Sequence, residues 1–151
     1  MRRSVALIPA PEGYESTNWP VFGSTAETWY AKPSTGRLMV SPADEDLVEA
    51  HDVWPDDMVI AEGLDRFEQA VTVPLTRVEH TWAGLRSFAP DRTPVAGFTS
   101  QTDGFFWLAG QGGYGVQTAP ALSKLTAALI TGATPALDPV TIAALSPDRF
   151  L

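Results

Sequence analysis

A chain of 151 residues, 44% of them apolar, is long enough to bury a core and too apolar for wholesale disorder. Its formal net charge of −8 argues against nucleic acid or an anionic membrane surface as a general partner. No cysteine is present, which excludes disulfides, thiolate metal sites and a cysteinyl link to a cofactor.

The opening MRRSVALIPAP carries two arginines but too short an apolar run for a signal-peptide core. No segment approaches the roughly 18 apolar residues of a membrane span, so a cytoplasmic location is expected. Ser4 to Ile8 reads as a strand, and the Pro-, Gly- and Ser-rich stretch from Pro9 to Ser24 as a loop. Thr28 to Lys32 and Arg37 to Ser41 are strands around the turn Pro33-Ser34-Thr35-Gly36, a hairpin pattern. An acidic loop follows from Pro42 to Trp54. Ten of the eighteen carboxylates lie between Asp44 and Glu68, where Arg66 is the only Lys or Arg, and the plain reading of this run is a solvated face.

Asp56 or Asp57 is placed to cap a helix running to about Ala70, with Gly63 weakening the pattern. Leu75 to Phe88 reads as one long extended segment in which Val78, His80 and Trp82 alternate with polar residues. Pro90-Asp91 and Thr93-Pro94 mark a turn, and Val95 to Phe98 a short strand. Phe105 to Ala109 is an apolar and aromatic run suited to a buried strand. Gly110, Gly112, Gly113 and Gly115 follow. Pro120 then fits the first turn of a helix carrying Leu122, Leu125, Leu129 and Ile130, with Gly132 at its C-terminal cap. The tail is irregular, with a short helix at Thr141 to Leu145. The order of elements predicts an α+β fold, with a largely antiparallel mixed sheet and two main helices in a single domain over residues 1–151.

Gly110-Gln111-Gly112-Gly113-Tyr114-Gly115 satisfies G-x-G-x-x-G between strand and helix. A self-contained dinucleotide site also needs a second strand ending in an acidic residue about 20 positions on. Asp138 has the spacing, but Gly132-Ala133-Thr134-Pro135-Ala136 precedes it instead of a strand. A tight turn packed through its glycines, and a loop approaching a ligand held mainly elsewhere, both stay open. Arg86 follows the small residues Ala83 and Gly84, which leave room for a carboxylate held by two parallel hydrogen bonds. Arg92, Lys124 and Arg149 add positive charge to the same third of the chain. His51 and His80 have no Ser or Asp arrangement around them that suggests a nucleophile or a metal site.

W-A-G-L-R (82–86), P-D-x-x-P-V-x-G (90–97) and G-Q-G-G-Y-G-V-Q-x-A-P (110–120), with the helix closing on Gly132, together resemble one family. It is the FAD-dependent amino-acid and amine oxidoreductases, including D-amino-acid oxidase and dehydrogenase, glycine oxidase and sarcosine oxidase. The resemblance is to their C-terminal half. W-Y-A-K-P-S-T-G-R-L-M-V-S-P-A-D-E (29–45) is similar to the substrate-domain hairpin of that family.

The resemblance implies an FAD cofactor and a small amine or amino-acid substrate. It assigns Arg86 to the substrate carboxylate, Tyr30 to the substrate pocket, and Gly110, Gln111, Gly112, Gly113, Tyr114 and Gly115 to the flavin ring. The flavin accepts the hydride, and no acid–base residue is required if the amine arrives neutral. The N-terminal Rossmann half of the family, which grips the FAD pyrophosphate, has no counterpart here. Three explanations follow from that departure. The chain is a fragment or truncated product, or one subunit whose partner carries the FAD-binding half, or a descendant kept for binding alone. A non-catalytic module for a small carboxylate or for another protein is the rival from a different class, and an inactive remnant is the third.

Overall fold

The computed structural model describes residues 1–151. The chain divides into two compact units, Met1–Leu85 and Arg86–Leu151.

The first unit is a five-stranded antiparallel sheet backed by one helix. Its strands are β1 (Arg2–Pro9), β2 (Phe22–Gly23), β3 (Tyr30–Ser34), β4 (Arg37–Ser41) and β5 (His80–Leu85), in spatial order β2-β3-β4-β1-β5. The β3–β4 turn is tighter than the sequence suggested. Ser34 pairs with Arg37, so Pro33 and Ser34 belong to the strand and only Thr35 and Gly36 turn. Both have positive φ (44° and 74°), the twist that suits a two-residue hairpin.

Helix α1 (Asp57–Ala70) starts where Asp56 accepts hydrogen bonds from the N–H groups of Met58 and Val59. It lays Ile60, Leu64 and Phe67 on Ala6, Ile8, Ala31, Leu38 and Val40 of the sheet. An edge-to-face chain of rings, Trp19–Phe22–Trp29–Phe67, closes one side at centroid spacings of 6.0, 6.0 and 5.3 Å. Gly63 is buried in the helix for a packing reason, because a Cβ there would overlap Pro42, whose Cα lies 2.7 Å away.

Part of the acidic loop is structural. Asp44 accepts from Ser4 N–H (2.6 Å) and Ser4 Oγ (2.7 Å), and Glu45 and Asp46 accept from the Arg3 and Arg2 guanidinium groups. The expected long segment from Leu75 to Phe88 narrows to β5, where the ladder with β1 runs from Leu7↔His80 to Arg2↔Leu85.

The second unit pairs β6 (Val95–Phe98) with β7 (Phe106–Ala109) and packs helices α2 (Gly115–Thr131) and α3 (Pro139–Leu145) around Ala96, Leu122, Leu125 and Leu145. Two expectations are corrected. β7 is not a buried strand: Trp107 is 44% and Leu108 47% exposed, because β7 has one partner strand and neighbouring side chains point to opposite faces. Helix α2 begins at Gly115, so Pro120 lies inside it rather than in its first turn. Gly132 does cap it, in the left-handed conformation with its N–H on the Ala128 carbonyl. Asp138, the residue with the spacing of a ribose-binding acid, caps α3 instead and accepts from Thr141 N–H at 2.9 Å.

Candidate functional site

The second unit brings Arg86 and the glycine loop together. Residues 86–89 run alongside residues 110–113. Gly112 N–H donates to the Ser87 carbonyl at 2.9 Å, Phe88 and Gln111 form an antiparallel bridge, and Tyr114 N–H turns back onto the Gln111 carbonyl at 2.9 Å. Gly110 and Gly112 hold φ at +71° and +53°, a region costly for residues with a Cβ.

The missing side chains serve distinct purposes. A Cβ on Gly112 would overlap the Phe88 ring, with Cδ1 at 2.7 Å. One on Gly110 would meet the Ala89 nitrogen at 3.2 Å. One on Gly113 would sit 2.7 Å from Nη1 of Arg86 and 3.3 Å from its Cζ. The half-buried Arg86 guanidinium therefore lies directly against the Gly113 backbone. The glycine spacing leaves a packed turn and a ligand loop as alternatives. The loop is packed on its 86–89 side, while Gly113 and Tyr114 face solvent on the other.

The end of the loop becomes the N-terminus of α2. Tyr114 is the N-cap, no side chain caps this end, and no acidic residue occupies the first turn. The first-turn N–H groups and the positive end of the helix thus point outward beside a fixed guanidinium. Val116, in that turn, is 96% exposed. A main-chain donor cluster with a cation next to it suits an electron-rich oxygen or a carboxylate.

The other arginines of this unit have other employment. Arg149 holds Asp91 through two hydrogen bonds (2.8 and 3.1 Å) and also donates to the Thr93 and Ser146 carbonyls. That pairing keeps the Asp91 carboxyl below its ordinary range. Arg92 lies over the Phe88 ring at 5.2 Å. The expectation that Arg149 adds to a positive ligand site is therefore replaced by a structural role for it.

Tyr30 stands in the first unit, half-buried on β3 opposite Gly23 and Ser41. Its neighbour Ala31 faces α1 in the core, so Tyr30 is on the other face of the sheet. Phe88 and Ser87, which shape the loop, were not singled out from sequence. The only signal they gave was their place between W-A-G-L-R and the Pro90-Asp91 turn.

The model of the DAO family, FAD dependent oxidoreductase, matches residues 1–129. The chain belongs to this family. It is 34% identical over 124 residues to the tRNA 5-methylaminomethyl-2-thiouridine biosynthesis bifunctional protein MnmC of Maricaulis maris, an alignment covering 80% of this chain and 20% of that protein. Its fold is similar to L-proline dehydrogenase from P. horikoshii (TM-score 0.77, 22% identity, 99% of this chain and 39% of that one). It is similar also to iminodiacetate oxidase from Chelativorans sp. BNC1 (TM-score 0.73, 19% identity, 97% and 38%). Glycine oxidase from Geobacillus kaustophilus is a third such structure (TM-score 0.64, 21% identity, 93% and 37%). The chain spans about a fifth of the curated relative and under half of each solved structure. The α+β architecture expected from sequence is thus that of the DAO-like flavoproteins. No helix is long and apolar enough to cross a membrane.

The residues present fit one end of an FAD and not the other. The uncapped start of α2 and the Gly113 backbone suit the electron-rich edge of a flavin ring. The acid a ribose would need is engaged in capping α3.

Proposed function

We propose that this chain is the substrate- and flavin-facing part of an FAD-dependent oxidoreductase acting on the CH–NH group of an amino acid or secondary amine. The observation that carries this reading is the Arg86 guanidinium lying against Gly113, at the loop that opens α2. Membership of the FAD-dependent family supports it from a separate direction.

In this reading Arg86 takes the substrate carboxylate in a two-pronged, charge-assisted pair and so orients the amine-bearing carbon. Tyr30 belongs to the substrate pocket. The backbone of Gly110, Gln111, Gly112, Gly113, Tyr114 and Gly115, with the positive end of α2, favours negative charge on the ring of the cofactor. FAD, when bound, supplies the hydride acceptor. Fixed main-chain donors there would favour the negative charge that a bound flavin gains on reduction, and so would stabilise the transition state more than the ground state.

The adenylate end of FAD is assigned to a nucleotide-binding half outside these residues, in a partner polypeptide or in further sequence. The uncovered apolar faces of β7, the strand leading into the loop, support that assignment.

The test is flavin absorbance of the purified chain, alone and with a polypeptide carrying the nucleotide fingerprint. Flavin retained only by the pair is expected. Arg86→Ala in the flavin-loaded pair should raise KM for carboxylate-bearing amines by roughly 10- to 150-fold, the equivalent of about 1.5–3 kcal/mol for a hydrogen bond to a charged group. Unchanged kinetics remove Arg86 from the site. A carboxylate-induced thermal shift with no flavin in either preparation favours a non-catalytic binding module instead.

A further inference from the structure

The two edges of the five-stranded sheet are built differently. One ends in β2, only two residues long, and a short edge strand offers little to pair with. The other ends in β5, six residues paired with β1 on one side and with no strand on the other. Its sequence, His-Thr-Trp-Ala-Gly-Leu, contains none of the Lys, Glu or Pro residues that usually protect an open edge. Trp82 and Leu85 are exposed on it.

Beside this edge is a hollow of about 570 Å³, with β5 on one side and His51–Pro55 on the other. Trp54, 80% exposed, stands on the far lip. The lining is mainly apolar, includes Asp52 together with His51 and His80, and contains no Lys or Arg. Asp52 lies in the acidic run described above, with Glu49, Asp56 and Asp57 close in sequence. An unpaired backbone edge gives main-chain hydrogen bonds, and a neighbouring apolar trough takes alternate side chains; together they are the requirements of strand addition.

The charge selects the occupant. A second copy of this chain would bring a second net charge of −8, and the same acidic run, to this edge, a like-charge juxtaposition that disfavours it. A strand with basic side chains meets attraction at the same place. We propose that the β5 edge and its hollow form a docking groove for one extended strand of the polypeptide that supplies the nucleotide-binding half. That strand alternates apolar residues, seated beneath Trp54, with Lys or Arg facing the acidic run. The proposal rests on the flavoprotein reading above for the identity of its occupant.

Two measurements test it. The first uses the isolated chain with a synthetic peptide alternating Lys and Val, and with its Glu–Val counterpart. Tryptophan fluorescence should report binding of the Lys–Val peptide about tenfold or more tighter, weakened by salt and by Trp54→Ala. Equal binding of the two peptides, or none, overturns the groove. The second uses the pair formed with the fingerprint-bearing polypeptide. Trp54→Ala and Ala83→Lys should each raise its dissociation constant about tenfold or more, while melting of the isolated chain stays unchanged for the exposed Trp54 variant. A pair that holds flavin and is indifferent to both variants overturns the docking and leaves the flavoprotein reading standing. A pair that both variants weaken, but that holds no flavin, supports the groove and removes the flavoprotein reading. An isolated chain that elutes as a dimer, and that Ala83→Lys turns into a monomer, assigns the edge to a second copy and overturns the proposal.

Discussion

Gly113 and Gly112 sit side by side, yet they should respond differently to the same substitution. Gly113 has no positive φ, and the three atoms nearest its would-be Cβ all belong to the far end of the Arg86 side chain. Gly113→Ala should leave melting within the ±0.5 kcal/mol of an ordinary surface change while displacing the guanidinium. Gly112 combines φ +53° with the Phe88 ring in its Cβ position. Gly112→Ala should cost about 1–3 kcal/mol in a urea titration. If both variants melt alike, the loop does not carry the distinct contacts described. The glycine cluster and Arg86 could be read from sequence because their residue types are rare in that density. What the residues touch could not, because Phe88 and Ser87 approach the loop from more than twenty positions away and nothing local marks the encounter.

At the scale of elements, most starts and stops were written in local chemistry. Asp56 caps α1, Gly132 closes α2 and Thr35-Gly36 turns the hairpin through short-range rules that a sequence displays. The differences have two sources, a helix bond that forms upstream of the expected start and a tertiary contact that a local pattern does not display. Pro120 suggested a helix start, but Tyr114 N-caps α2 and its carbonyl receives the Thr118 N–H, so the first turn forms five residues earlier. Gly63 looked like a weak point in α1, although its absent side chain admits Pro42. Gly63→Ala thus gains about 1 kcal/mol of helix propensity and loses about 1–3 kcal/mol to overlap with a rigid ring. Net destabilisation by chemical denaturation is expected, and a stabilised variant would show that the Pro42 contact yields. Asp138→Ala should cost about 1 kcal/mol through the lost cap of α3, measured in the same way.

Considered whole, the chain carries two cores, and a carboxylate–guanidinium latch secures the end of the second. Asp91 is held below its ordinary range first by hydrogen bonds from Arg149. A depressed native pKa stabilises the fold above the unfolded value, about 3.9 for Asp, and that contribution disappears as pH falls through the native one. Asp91→Asn should therefore destabilise at pH 7, with the gap to the parent narrowing only at pH values below about 4. Urea midpoints of the two proteins across pH 2–7 give the comparison, and a gap that persists at the acid end would assign the loss to packing. Asp148, lowered chiefly by the Ser100 N–H, strengthens the same corner. Fold class was visible in the succession of elements. The division into two units was not, because the boundary after Leu85 falls inside Leu75 to Phe88, which reads as one extended segment with no Pro and no turn pair at the boundary.

The place of β1 in the sheet has a bearing on synthesis. Arg2–Pro9 leaves the ribosome before both of its neighbours in the sheet, β4, some thirty residues later, and β5, which ends at Leu85. Loop closure over such separations slows folding. Until Leu85 has emerged, an apolar ribbon waits with one side bare, and a nascent chain in that condition is a natural client for a chaperone.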